Sequence, residues 1–334
     1  MPDTAPIRPG EQLDLARISA YLQPHLPATR YALEQFPSGH SNLTYLLRAD
    51  DQEFVLRRAP LGPVPPKAHD MAREFHILQR LHPVFPPAPA TVHLCEDASI
   101  AGAVFYLMER RHGIVYRDPA EIAAHGRQHS QAIVDTLVAL HNVGLDQSGL
   151  AHIGKPEGFL QRQVTGWVGR WQNAALPTSP GATAVIEALT KRIPPQQAAT
   201  VVHNDYKLDN VMFSLATPGQ LTTVLDWEMT TIGDPLADLG LALCYWELGG
   251  ALTTGQPPPA GWLTTEEFIA SYAGQTGRDM THLGWHRTLG VFKLAVILQQ
   301  IYVRYVRGQT RDPRFAGFGT RIERLIARAQ ELAA

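Results

Sequence analysis

Two short apolar runs, each ending in carboxyl- or amide-bearing side chains, constrain this chain more than anything else in it. They are VVHNDYKLDNVMF, residues Val201 to Phe213, and TTVLDWE, residues Thr222 to Glu228. β-Branched residues lead into each polar cluster, so the pattern predicts strand, loop, strand, turn, strand. Asp205, Asn210 and Asp226 are thereby carried on one hairpin. Phosphoryl transfer requires such a set: a carboxylate to orient an attacking hydroxyl, and hard oxygen ligands for a magnesium ion that bridges a nucleotide's phosphates.

The spacing HxDxxxxN, followed by an apolar run ending in Asp, is the arrangement used by protein kinases. The chain resembles the kinase-like superfamily and, within it, the aminoglycoside phosphotransferase family. The branch it looks most like is the phosphotransferase-type domain that some eukaryotic proteins carry fused to an acyl-CoA dehydrogenase. Family members read HGD where this chain reads His203-Asn204-Asp205, and they share DWE at Asp226-Trp227-Glu228. The segments FPSGHSNLTYLLR, FVLRRAP, AHDMAREFHIL, LCED, FYLMER, RQV and GDPLADLG extend the similarity over nearly the whole chain. The resemblance implies an α+β, protein-kinase-like fold of two lobes. Residues 1–110 would form an N-lobe with an antiparallel sheet, a helix and an accessory N-terminal helix, binding nucleotide. Residues 111–334 would form a mainly helical C-lobe with the catalytic hairpin and the acceptor site.

With 334 residues, 45% of them hydrophobic and 18% charged, the chain can bury a sizeable core and does not have the composition of a disordered protein. Its net charge of -2 provides no overall footprint for nucleic acid or a membrane surface. Only Cys95 and Cys244 are present, both in apolar context, which fits packed thiols in a reducing compartment rather than a disulfide framework. The opening MPDTAPIRPGEQLD has neither a basic start nor an apolar stretch, so a cytoplasmic protein is expected.

In chain order, Glu11 to Leu26 has helical spacing; Tyr31 to Pro37, Asn42 to Ala49 and Glu53 to Arg58 read as a three-stranded meander. Alternation along the third strand points Val55 and Arg57 to one face, where a purely structural core would prefer two apolar residues. Pro60 to Pro66 is a stiff connector, and Ala68 to Leu81 is an amphipathic helix with Glu74 beside its apolar stripe. Thr91 to Leu94 and Val104 to Met108 supply two more strands. From Pro119 the pattern changes to long amphipathic segments, including Phe159 to Trp171 with Trp167 and Trp171 one turn apart. Gly233-Asp234-Pro235 starts a helix with an Asp cap and Pro in the first turn. Thr264 to Gly274, Trp285 to Arg307 and Phe318 to Leu332 complete a helical C-terminal third.

The resemblance assigns roles residue by residue. Asp205 accepts or orients the hydroxyl proton, and Lys207 is aimed at the transferred phosphate. Asn210 and Asp226 hold Mg2+. Arg57 stands where kinases carry a phosphate-binding lysine and pairs with Glu74; Ser41 and Asn42 lie near the phosphates. Main-chain groups around Met108, Glu109 and Arg110 read the base of ATP or GTP. His203 braces the loop, and Asp238 either bonds back to it or serves in its own helix's first turn. If the usual glycine sits at positive φ, Asn204 is among the few side chains that tolerate the position.

Charge then bears on the acceptor. From Trp285 onward Arg287, Lys293, Arg304, Arg307, Arg311, Arg314, Arg321, Arg324 and Arg328 outweigh Asp312, Glu323 and Glu331. A groove for polycationic aminoglycosides should be acidic, so a neutral or anionic small-molecule acceptor is expected, in a cleft near Trp167 and Trp246; the resemblance to the dehydrogenase-fused branch implies a hydroxyacyl-CoA as one such acceptor. The competing expectation is that these arginines cover solvent faces. Two other functions compete with a small-molecule kinase. One is a nucleotide-binding protein without catalysis; the other is a haloacid-dehalogenase-type phosphatase, suggested by the likeness of Val224 to Thr230 to hhDxDxT.

Overall fold

The computed structural model describes residues 3–37, 42–60, 69–116, 125–248 and 260–333. The chain divides into two compact units, Met1–Gly113 with Thr223–Glu228, and Ile114–Thr222 with Met229–Ala334. The short segment carrying Asp226 thus groups with the N-terminal strands, although it is far from them in sequence.

The first unit contains helix α1 (Leu15–Leu22), strands β1 (Tyr31–Gln35), β2 (Leu43–Ala49) and β3 (Gln52–Arg58), helix α2 (Met71–Leu81), strand β4 (Thr91–Cys95), the single turn α3 (Ala98–Ala101) and strand β5 (Phe105–Glu109). The five strands form one sheet in the order β1-β2-β3-β5-β4, with antiparallel neighbours throughout. α1 starts later than Glu11 because Asp14 caps it, accepting a hydrogen bond from the Arg17 amide at 3.0 Å. α2 is capped in the same way by Asp70; the predicted start at Ala68 lies outside the described residues.

Alternation gives the sheet two different faces. On one, Tyr45, Leu47, Leu56 and Phe105 pack with Ile18 and Leu22 of α1 into a dry cluster. Arg58 points to this side and is only 1% exposed; it donates to the carbonyls of Ala59 and Ala101, so its buried donors are satisfied by backbone. On the other face lie Val55, Arg57, Tyr106 and Met108, with the Tyr106 ring edge-on to Phe75 of α2.

The second unit is mainly helical. It contains α4 (Gly126–His141), the single turn α5 (Leu145–Ser148), α6 (Phe159–Ala174), α7 (Thr183–Lys191), strands β6 (Thr200–Val202) and β7 (Val211–Phe213), strand β8 (Leu221–Val224), which runs out into the first unit's short segment, and β9 (Thr231–Gly233). Then follow α8 (Pro235–Leu248), α9 (Thr265–Thr276), α10 (Leu283–Val306) and α11 (Phe318–Ala333). β6 pairs with β9 in antiparallel register, Val201 opposite Ile232. Asp234 caps α8 through the Leu236 amide at 2.8 Å, and Thr264 and Glu267 form a capping box on α9.

The core gathers α6, α7, α8, α10 and α11 around Trp171, Val185, Leu241, Phe292 and Ile322. α8 and α10 meet backbone to backbone: a Cβ on Gly240 would stand 2.6 Å from the His286 carbonyl, and one on Gly290 would stand 2.8 Å from the Gly240 carbonyl oxygen. Only glycine permits that approach. α10 is long and apolar enough to cross a membrane by length and composition, yet 61% of its most apolar window is buried within the protein, as in a core helix. Cys95 and Cys244 are both buried free thiols.

Candidate active site

In the first unit the charged side chains close on one another. Arg57 extends from the α2 side of β3; its Nε donates to Glu74 Oε2 at 3.2 Å and its Nη2 donates to Asp226 Oδ1. Glu74 is 2% exposed, so the helix glutamate is a buried partner, not a solvated charge. Burial disfavours the Arg57 charge, but Glu74 and Asp226 more than restore it and raise the guanidinium's pKa. Asp226 has φ of 65°, a left-handed conformation that Asp tolerates better than most residues. Trp227 is buried and donates to the Val224 carbonyl at 2.8 Å, which anchors the turn.

The other nucleotide-side residues are placed as follows. Asn42 turns toward Glu228, donating to its Oε2 at 2.9 Å while its Oδ1 contacts His69 Nδ1 at 2.7 Å. Ser41 lies outside the described residues. Met108 is inside the sheet, paired with Val55, and the Glu109 amide is donated to the Ala90 carbonyl at 2.9 Å. Arg110 pairs with Glu53 and with Asp3.

In the second unit β6 delivers the loop. Asn204 has φ of 65°, a conformation that asparagine tolerates better than most side chains, and its Nδ2 donates to the Met229 carbonyl at 3.1 Å. The loop is gripped from below by Asp238 of α8, which accepts the His203 amide at 2.7 Å and the Asn204 amide at 2.8 Å and contacts His141 Nε2 at 3.2 Å. Burial would raise the Asp238 carboxyl, but His141 and the His203 amide hold it below its ordinary value. Of its two expected roles, Asp238 thus takes the longer-range one. His203 is fully buried and its Nδ1 accepts the Asp205 amide at 3.2 Å, a brace.

Asp205 itself is enclosed by donors. Tyr245 Oη donates to Oδ1 at 2.8 Å; Lys207 Nζ at 2.8 Å and Asn210 Nδ2 at 2.9 Å both donate to Oδ2. An ionised carboxylate offers about four acceptor sites, so these bonds leave one, on Oδ1. Tyr245 is not among the residues that the motifs single out. It lies seven residues after Asp238, hence on the same face of α8, and that periodicity is the signal that finds it.

A pocket of about 170 Å³ opens beside this loop within the second unit, lined by Arg162, Trp167 and Arg170 of α6, Asn204, Met229 and Lys293 of α10, among others. Trp167 is among the residues that line it. Trp246 is not: it is core, donating to the Leu263 carbonyl and packing on Trp262 and Phe268. Of the C-terminal basic residues, only Lys293 reaches this pocket. Arg287 and Arg328 pair with Glu247, and Arg314 with Asp312. The two further cations, Arg162 and Arg170, come from α6, outside the basic C-terminal third.

The family model described as the phosphotransferase enzyme family, APH, matches residues 32–277. Mouse acyl-CoA dehydrogenase family member 10 is 32% identical over 322 residues, covering 92% of this chain and 30% of the relative; rat acyl-CoA dehydrogenase family member 11 is 34% identical over 333 residues, covering 92% and 41%. The chain therefore spans less than half the length of these relatives. A crystal structure of a candidate aminoglycoside phosphotransferase from Ralstonia eutropha JMP134 superposes with a TM-score of 0.82 at 28% identity, covering 96% of this chain and 98% of that one. The aminoglycoside phosphotransferase APH(4)-Ia, crystallised as a ternary complex with ADP and hygromycin B, shares the fold at a TM-score of 0.60 and 15% identity, over 93% and 97%. The phosphatase alternative has no support among these matches. The fold is the α+β, protein-kinase-like one, and the chain belongs to the phosphotransferase enzyme family, APH.

Proposed function

We propose that the protein transfers the γ-phosphate of ATP or GTP to a hydroxyl of a neutral or anionic small molecule. The observation that carries this reading is the state of Asp205: three donors fix its carboxylate and leave one acceptor site on Oδ1 for an incoming hydroxyl. The acceptor oxygen bonds to the γ-phosphorus as the bond from phosphorus to the β–γ bridging oxygen breaks. The hydroxyl proton passes to Asp205, and the nucleoside diphosphate leaves with the electron pair. Because the transition state is loose, positioning by Asp205 counts for more than its basicity. Lys207, already held at Asp205, supplies positive charge to the transferred group.

Asn210 and Asp226, each taken by itself, have the side-chain chemistry to hold magnesium. Among the described residues Asn210 Oδ1 and Asp226 Oδ2 have no hydrogen-bond donor, and both are hard oxygen atoms. Magnesium is characteristically bound through one or two carboxylates together with the substrate's phosphates. When bound, it would neutralise charge on the β- and γ-phosphates. Arg57, held by Glu74, would bind the α- and β-phosphates, with Ser41 and Asn42 near them and the base read by main chain at Met108 to Arg110. A complex of an APH-fold relative with ADP supports a nucleotide donor.

The acceptor reading is supported by cations, not carboxylates, around the pocket beside Asn204. Similarity to dehydrogenase-fused proteins makes a hydroxyacyl-CoA one acceptor to try first. A thermal-shift series of nucleotides with magnesium, then labelled γ-phosphate with a panel of alcohols, tests the whole reading. If Asp205→Ala and the parent lose γ-phosphate at equal rates, the protein is a nucleotide binder and not a kinase. Fast phosphorylation of kanamycin-like amines with no turnover of anionic alcohols would reverse the acceptor class.

A further inference from the structure

We propose that the pocket beside the Asp205 loop binds an oxyanion group of the acceptor, with Lys293 as the residue that selects it. Lys293 is 6% exposed and lines this pocket. Among the described residues its ammonium makes no ion pair, and the one polar contact it has there is marginal, Nζ to Asn204 Oδ1 at 3.5 Å. The Trp167 ring, 5.5 Å from Nζ, offers one face to an ammonium that has three N–H donors to satisfy. A buried charge in that state costs free energy, and burial draws the Lys293 pKa down to about 8 despite the carboxylates of Asp238 and Asp205. An anion entering the pocket removes that cost.

The rest of the lining agrees. The Arg162 guanidinium is tethered to the carbonyls of Lys155 and Glu157 at the pocket's edge, and that of Arg170 lies 4.4 Å over Trp167. Among the described residues, no Asp or Glu lines the cavity. At about 170 Å³ it is smaller than a complete small-molecule site, which takes about 300–1,000 Å³, so it suits one end of a ligand. Asn204 forms part of its wall and precedes Asp205 directly, about 3.8 Å from Cα to Cα. The oxyanion and the reacting hydroxyl would therefore be separated by a short stretch of the same molecule. A carboxylate and a phosphate share the required chemistry.

This inference rests on the phosphotransfer reading for its acceptor, so binding is measured apart from turnover. Ligand-observed NMR on the full chain without nucleotide compares 3-hydroxypropanoate, glycerol 3-phosphate and propane-1,3-diol. One or both oxyanions should bind at least about tenfold more tightly than the diol, and which one does so identifies the source of the negative charge. Lys293→Met, which keeps the side chain's bulk, should reduce the preference to within about twofold, and Arg314→Gln, remote and paired with Asp312, should leave it intact. Equal binding of all three ligands by the wild type, or a preference that survives Lys293→Met, overturns the proposal. Labelled γ-phosphate with the same compounds separates the two readings. A tightly bound oxyanion that is never phosphorylated counts against it as an acceptor and leaves the pocket standing; turnover of the diol without any oxyanion preference does the reverse.

Discussion

The two units treat charge in opposite ways. In the first, the Arg57 guanidinium is already paired with both Glu74 and Asp226, so a ligand must join or replace an ion pair that is already made. Among the described residues of the second, Lys293 is buried with no paired carboxylate, and Arg170 lies over the aromatic face of Trp167 with no ion pair. Binding to the first rearranges existing pairs, whereas binding to the second supplies negative charge that the fold lacks. Two sites with similar numbers of charged side chains thus differ in what they ask of a ligand.

Four measurements probe this contrast, beginning with the largest effect. Asp205→Asn keeps the shape of the loop but removes the acceptor charge; kcat should fall by about 10²- to 10⁴-fold with little change in thermal midpoint. Retention of full activity would show that the second unit's hydrogen-bonded carboxylate is not the group that orients the hydroxyl. Glu74→Ala acts on the closed cluster, leaving a buried guanidinium with one partner. The first unit should lose about 3–5 kcal/mol, read as faster hydrogen exchange across β1 to β5, with the helices of the second unit unaffected.

The third concerns the open cluster. Lys293 has a folded-state pKa of about 8, against 10.5 for an unperturbed lysine. Between those values the unfolded chain binds more proton, so this group makes stability rise with pH across that window. The difference in unfolding free energy between wild type and Lys293→Met should shift in favour of the wild type by up to about 3 kcal/mol from pH 8 to 10.5. A difference that stays flat would mean the lysine is not strained by burial. The smallest effect is Tyr245→Phe, which deletes one bond to Asp205 Oδ1; kcat should fall about tenfold, for about 1.5 kcal/mol, with KM nearly unchanged.

Much of this was legible in the sequence because it depends on local pattern. Period-two alternation marks β1 to β5 and sends Arg57 and Arg58 to opposite faces, and the condition on which the sequence tolerates Asn204, a positive φ, is met in the structure. Proximity of Glu74 to Arg57 and of Asp238 to the loop follows from family position and is seen in the structure. Partners set by packing between distant helices were not legible. The basic C-terminal third looks like one surface, but Glu247 engages Arg287 and Arg328, leaving Lys293 alone in the pocket with arginines from α6. Trp167 and Trp246 are equally aromatic in sequence, yet one lines a cavity and the other fills a core.

The glycine-to-glycine crossing of α8 and α10 ties these parts together. Asp238 and Tyr245 lie on either side of Gly240, and Lys293 follows Gly290 by about one turn. The two helices are therefore pinned where neither can slide, and the span from the buried ammonium to the carboxylate becomes a built-in ruler. On the proposed reading, the number of atoms an acceptor needs between its anion and its hydroxyl would be set by the backbone.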